Sequence, residues 1–254
     1  MSHETVTIGV LAIQGAFQEH IARFASLNAS SSGTTVRALA IRRPEQLAQC
    51  HGLVLPGGES TSIVLGLRNA DLLEPLRVWI REGKPVWGTC AGMIMLASVA
   101  TGGKRGGQEL LGGMDVQVGR NGFGSQVYSF ECDLPCPALG EAPFPGVFIR
   151  APVVEKLLTS RAEEQEAVTS HEQKGLTVAY CPPDMRCLQE GVAVEPLVWL
   201  PLDGPSHAEA TDASRIVAYR QGALLATSFH PELTSDTRLH SYFVRAFVLP
   251  AMHS

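Results

Sequence analysis

Residues 86–96 read VWGTCAGMIML. An apolar run reaches a cysteine flanked by Gly88 and Gly92, and the chain continues as a second apolar segment that predicts a helix over AGMIMLASVA, 91–100. Read as strand, tight turn and helix, this stretch makes the fold α/β. It also lifts Cys90 out of a sheet, because a nucleophile on a turn between strand and helix stands exposed at the strand's end. The two glycines then read as clearance for the cysteine and for a substrate. A helix starting at Ala91 aims its dipole and free N–H groups at Cys90, which favours thiolate and offers a donor to an oxyanion. A cysteine in a buried turn also serves packing alone, so the rest of the chain has to decide.

Working outward, VTIGVLAI (6–13) is a nearly continuous β-branched and apolar run, as in a strand buried on both faces. Gln14 and Gly15 turn the chain, and Phe17, Ile21 and Phe24 recur at helical spacing in AFQEHIARFASL. TTVRALAI (34–41) and GLVLPG (52–57) predict two more strands, with a short segment from Pro44 between them. A helix is expected over about Thr61 to Glu82, broken or kinked near Pro75, before the strand KPVWGTC. This alternation is the signature of a mostly parallel central sheet with helices on both faces.

Downstream, GGKRGGQ (102–108) lacks the GK[ST] ending of a phosphate loop and reads as a turn. MDVQVGR, SQVYSFEC and GVFIRAPVV are strand-like without long helices between them, so an antiparallel patch is expected to join the sheet. IVAYRQGALLATSFH reads as two strands around a turn, and a final helix carries Leu239, Tyr242, Phe243, Ala246 and Phe247 on one face. SRAEEQEAVTSHEQKG and PLDGPSHAEATDAS look like solvated insertions within 157–213, with a strand in GVAVEPLVWLP between them. No linker is evident, and 1–254 is taken as a single domain.

Composition limits the function classes. The chain of 254 residues is 45% hydrophobic and 18% charged, with a formal net charge of −5. It is long enough to bury a core without a metal or disulfide staple. Its acidity argues against a nucleic-acid surface, and no apolar run is long enough to span a bilayer. The opening MSHETVTIGV lacks the order of a secretory signal, so a cytoplasmic location is expected. Six cysteines spread through the chain read as reduced thiols. Cys132/Cys136 and Cys181/Cys187 lack two-residue spacing and have prolines inside both pairs, so no metal site is expected.

A cysteine nucleophile needs a base, and the base needs a group to orient it. SFHPEL (228–233) supplies His230 and Glu232 two apart at the end of an expected strand, with Pro231 stiffening the link. An isolated HPE is more often a surface turn; an elbow cysteine elsewhere reverses that balance. LPGGES (55–60) again follows an apolar strand, and its glycines leave backbone N–H groups free for a ligand. In a parallel α/β sheet this loop lies beside the elbow, at the carboxyl ends of the strands.

VLPGGES, GTCAG and HPE, in this order and spacing, resemble the class I (triad) glutamine amidotransferases. AIQGAFQEH, PGGESTSI, GTCAGMI, GRNGFGSQVYSFE, FIRAP and SFHPELTSD are similar, more narrowly, to the glutaminase subunits of pyridoxal 5′-phosphate synthases. The resemblance runs from about Val6 to Val154 and resumes from about Ile216 to Phe247. It implies a flavodoxin-like three-layer α/β fold with an antiparallel extension. It assigns Cys90 as nucleophile, His230 as general base and acid, and Glu232 as the carboxylate orienting His230. It implies an oxyanion hole from the N–H groups of Gly58 and Ala91, and glutamine contacts at Gly58, Glu59, Ser60, Arg120, Ile149 and Arg150. An arginine suits the α-carboxylate of glutamine and a carboxylate its α-ammonium, although arginines at such positions also form surface ion pairs.

The implied reaction hydrolyses L-glutamine to L-glutamate and ammonia, which passes to a partner synthase subunit making pyridoxal 5′-phosphate. The resemblance implies no cofactor on this chain and a glutaminase switched on by its partner. Gln14 is either part of that oxyanion-side switch or a plain turn residue. The other readings are a glutaminase serving a different synthase, such as the histidine-pathway one, and a non-catalytic regulatory module of the same fold.

Overall fold

The computed structural model describes residues 4–29, 33–102, 108–120, 129–160, 163–167, 169, 177–182, 185, 192–202 and 211–253. Asn121 to Tyr128 of the GRNGFG segment, most of the glycine-rich turn, much of both expected insertions and Cys187 lie outside them.

The strands are β1 (Glu4–Leu11), β2 (Thr34–Ile41), β3 (Gly52–Leu55), β4 (Val86–Thr89), β5 (Ala97–Thr101), β6 (Met114–Gly119), β7 (Ser129–Leu134), β8 (Phe144–Ile149), β9 (Val153–Leu157), β10 (Val178–Tyr180), β11 (Glu195–Trp199), β12 (Ile216–Gln221) and β13 (Leu224–Thr227). The helices before the elbow and at it are α1 (Phe17–Ser26), α2 (Ser60–Asn69), α3 (Leu73–Arg81) and α4 (Ala91–Leu96). A C-terminal helix starts at Arg238, widens into a π-turn over Val244–Val248 and ends at Met252.

The central sheet has the order β11-β12-β13-β4-β3-β1-β2. From β13 to β2 every pairing is parallel, and β12 and β11 extend it antiparallel. Because β1, β3, β4 and β13 are covered on both faces, consecutive residues feed different cores. Val54 and Trp87 pack with Phe24 of α1 and Phe243 of the C-terminal helix. Leu53, Leu55 and Val86 pack with Ile63 and Leu67 of α2 and Leu76 of α3 on the other side. Each such side chain contributes about 1.5–3 kcal/mol through burial.

Three expectations need correction. The apolar run 91–100 is helical only to Leu96; Ala97–Thr101 is strand β5, because Val99 and Thr101 prefer extended backbone and find pairing partners in β6 and β10. The single kinked helix is two, and the break falls at Asp71, with φ 54°, not at Pro75. Pro75 sits in the first turn of α3, where its missing N–H costs no intrahelical bond. The antiparallel patch does not join the central sheet: β6 and β9 belong to a separate four-stranded sheet, β10-β5-β6-β9, and β7 pairs with β8 as a hairpin. The antiparallel extension of the central sheet is instead β12 and β11.

Among the described residues of 157–213 lie the expected β11 and the unexpected β10, so part of that stretch is built into the sheets. No helix among the described residues is long and apolar enough to cross a membrane.

Candidate active site

β1, β3, β4 and β13 are neighbours in the sheet, and the segments leaving their carboxyl ends carry Gln14, Gly57-Gly58, Cys90 and His230. Ligands bind in this position in open α/β sheets. Cys90 has φ 48° and ψ −104°, a strained turn for a residue with a Cβ, costing about 1–3 kcal/mol. Its N–H donates to the Thr227 carbonyl at 2.8 Å, which pins the elbow to the end of β13. His230 follows three residues later, and its N–H donates to Val147 O of β8 at 2.8 Å.

The side chains complete the arrangement. His230 Nδ1 lies 2.7 Å from Glu232 Oε1, which leaves Nε2 for the hydrogen bond with the Cys90 thiol. Burial by itself would lower the His230 pKa. The hydrogen bonds to Cys90 and Glu232 and the charges of both outweigh it and raise the pKa to about 10. Glu232 is fully buried, which opposes ionisation, yet its pKa is lowered by the neighbouring imidazoles. Of these, His20 is itself held neutral by burial, with a pKa of about 3, so His230 is the cation that keeps Glu232 charged. The three groups make an imidazolium between a sulfur and a carboxylate, the arrangement that nucleophilic attack and proton return require.

The glycines divide the work differently from the sequence expectation. A Cβ on Gly92 would lie 2.0 Å from the Leu55 carbonyl oxygen, and one on Gly88 would lie 2.5 Å from the Gly92 carbonyl. Both glycines face inward and let α4 press on β3 and β4; they are packing glycines, not clearance for substrate. Clearance belongs to Gly57, which sequence reasoning passed over. A Cβ there would lie 2.5 Å from His230 Cε1 and 3.3 Å from Cys90 Cβ.

Gly58 has φ 154°, and a Cβ on it would meet Gln14 Oε1 at 2.3 Å. The same Gln14 oxygen accepts the Glu59 N–H at 3.0 Å, so the turn after β1 is tied to the GGES loop. Glu59 caps α2 by accepting from the Thr61 N–H at 3.1 Å and the Ser62 N–H at 2.7 Å. Burial opposes its ionisation; the hydrogen bonds from Ser62 and Thr61 prevail and lower its pKa to about 2. Ser60 is buried and its hydroxyl donates to Gln108 Oε1 at 3.0 Å. Ala91 is buried at the start of α4, where helix N–H groups lack intrahelical partners.

Arg120, just past β6, has Nε and Nη2 buried without a hydrogen-bond partner among the described residues. Burial lowers its pKa, and the charge of Glu59 works against that. A desolvated guanidinium near a carboxylate can receive both ends of an amino acid. Ile149 is an exposed apolar residue ending β8, two residues beyond the carbonyl that holds His230. Arg150 is exposed, and its φ of 48° kinks the chain between β8 and β9.

Sequence reasoning also missed His20 and His240, both fully buried beneath Glu232. The signal was present: each is a polar residue at helical spacing among the apolar residues of a buried face, with Phe17, Ile21 and Phe24 for one and Phe243 and Phe247 for the other.

Comparison with known proteins identifies the family. The model of the SNO glutamine amidotransferase family matches residues 10–183 and 201–249. The chain is 44% identical to the pyridoxal 5′-phosphate synthase subunit PdxT of Herpetosiphon aurantiacus, over 94% of this chain and 99% of that one. It is also 44% identical to the PdxT subunit of Kineococcus radiotolerans, over 96% of each. A solved structure described as a glutamine amidotransferase superposes with a TM-score of 0.66 at 36% identity, covering 93% of this chain and 96% of that one. The chain belongs to the SNO glutamine amidotransferase family.

Proposed function

We propose that this chain is the glutaminase subunit of a pyridoxal 5′-phosphate synthase, releasing ammonia from L-glutamine for a synthase partner in vitamin B6 biosynthesis. The observation that carries the reading is the line Cys90–His230–Glu232 at the carboxyl ends of β4 and β13, beside the GGES loop. The relatives' names supply the partner and the product.

In this mechanism the Cys90 sulfur attacks the side-chain amide carbon of glutamine. A C–S bond forms, and the carbonyl electrons move to an oxyanion facing the N–H groups of Gly58 and Ala91. As the tetrahedral species collapses the C–N bond breaks, and the His230 imidazolium gives its proton to the departing ammonia. Neutral His230 then takes a proton from water, whose oxygen attacks the thioester; glutamate leaves and Cys90 is regenerated. Glu232 keeps the His230 ring oriented and stabilises its cationic form throughout. Arg120 meets the α-carboxylate of the substrate and Glu59 its α-ammonium, while Ser60, Ile149 and Arg150 border the pocket. The chain acts as one domain over 1–254, in the cytoplasm, with no cofactor of its own.

Glutamate release is measured with and without the synthase subunit, with Cys90→Ala as control. Wild type in the complex should exceed the variant by orders of magnitude, and equal rates would end the enzymatic reading. Rescue of a vitamin B6 auxotroph by the wild-type chain, and not by Cys90→Ala, separates this subunit from a glutaminase serving another synthase.

A further inference from the structure

His20 of α1 and His240 of the C-terminal helix occupy the space behind Glu232, on the side away from Cys90 and His230. Both are fully buried. His20 Nε2 stands 3.4 Å from Glu232 Oε2 and 3.3 Å from Thr89 Oγ1, the residue before the elbow cysteine. Its other nitrogen, Nδ1, is 3.0 Å from His240 Nε2. The rings are clamped at their edges by Trp87 and Phe24: His20 to Trp87 at 5.6 Å, His240 to Trp87 at 5.0 Å and to Phe24 at 4.9 Å between centroids. Among the described residues neither Glu232 Oε2 nor His240 Nδ1 has a hydrogen-bond partner, and the 3.4 Å approach of His20 Nε2 to Oε2 is a close polar contact.

Those two ends determine which way the protons run. A neutral imidazole carries one N–H. If His20 were protonated on Nδ1, its Nε2 lone pair would face the Glu232 carboxylate. His240 would then accept at Nε2 and bury an unpaired Nδ1–H. With both rings protonated on Nε2, His240 donates to His20, and His20 donates to Thr89 Oγ1 with the positive N–H end of its ring beside Oε2. What remains at His240 Nδ1 is a bare lone pair, cheaper to bury than an unpaired donor beside apolar side chains.

We infer that His20 and His240 form a neutral two-histidine brace that fixes the free oxygen of Glu232 from behind, and so are positioning residues for His230. Neither touches substrate. Glu232 is hydrogen-bonded at Oε1 to His230 and faced at Oε2 by His20 Nε2 at 3.4 Å, which limits how far its carboxylate plane, and with it the His230 ring, can turn. The charged and titratable groups around the brace are Glu232 and His230 from the segment after β13 and Arg23 from α1, whose Nε donates to the Glu232 carbonyl at 3.2 Å. Burial holds both brace imidazoles neutral, with pKa values of about 3.

The inference rests on the glutaminase reading, and its test separates the two. Glutamine turnover by the complex with the synthase subunit is followed for wild type, Cys90→Ala, His20→Gln and His20→Asn. The Gln amide nitrogen reaches the position of Nε2, whereas the Asn amide reaches only that of Nδ1; both substitutions leave a polar group in the same pocket. Wild type no faster than Cys90→Ala would end the glutaminase reading itself. With wild type active, the brace predicts that His20→Asn lowers kcat about tenfold with KM for glutamine within about twofold, while His20→Gln stays within about twofold of wild type. The alkaline limb of kcat, which reports His230, should move to lower pH in His20→Asn and return in His20→Gln. Equal kcat and equal alkaline limbs for the two variants would overturn the inference, as would a loss in His20→Asn confined to thermal stability.

Discussion

One carboxylate separates two regions that treat histidine in opposite ways. On the outer side of Glu232, His230 shares its ring between a sulfur and the carboxylate, and is held protonated up to a pKa of about 10. On the inner side, His20 and His240 lie among Trp87, Phe24 and Phe243 and are held neutral down to about 3. All three are buried; what differs is the company. Desolvation disfavours every cation, and only at His230 do the hydrogen bonds and charges of Cys90 and Glu232 outweigh it. Burial therefore does not by itself predict charge state. The hydrogen bonds that a ring makes decide it, as those to Cys90 and Glu232 do for His230.

Removing the partner that only the outer side possesses is the severest way to break the contrast. Cys90→Ala should reduce glutamate release by about four orders of magnitude, because a member of a nucleophile–base unit is lost. It should also lower the His230 pKa, checked by following the His230 ring nitrogens by NMR. The next largest effect comes from steric disturbance of the same ring. Gly57→Ala puts a methyl group 2.5 Å from His230 Cε1, and kcat should fall about a hundredfold while the melting temperature changes little.

Gly92→Ala sharpens the contrast from the inner side. Its methyl would lie 2.0 Å from the Leu55 carbonyl oxygen, so α4 must lift from β3 at a cost of about 1–3 kcal/mol, read by denaturant unfolding. The residual activity per folded molecule should exceed that of Gly57→Ala.

The most gradual effect is in the pH dependence of stability. His20 and His240 have folded pKa values below the ordinary 6.5, so between pH 6.5 and about 3 the unfolded chain binds more protons and stability falls as pH falls. The slope is at most about 1.4 kcal/mol per pH unit for each ring. His240→Phe should flatten it between pH 6 and 4 in thermal melts. His230 has the opposite sign: its contribution is fully present below pH 6.5 and is lost as pH rises through about 10.

Much of this was written locally. The parallel strands announced themselves as β-branched apolar runs, since a strand covered on both faces needs apolar residues at nearly every position. Cys90, His230 and Glu232 sat in short motifs at strand ends, where side-chain type and spacing already carry the chemistry. The fate of 91–101 was not legible, because a short apolar run suits a helix or a buried strand equally; the pairing of β5 with β6 and β10 decided it.

The glycines and the inner histidines mark the boundary between the two kinds of information. Sequence determined that Gly57, Gly58, Gly88 and Gly92 lack side chains; only the packed chain decided that Gly57 makes room for His230 while Gly92 makes room for the backbone of β3. Sequence likewise placed His20 and His240 on apolar helix faces 220 residues apart. Their meeting 3.0 Å apart behind Glu232 follows from α1 and the C-terminal helix packing on the same face of the sheet. Local motifs determine which groups can react; long-range packing determines which groups hold them still.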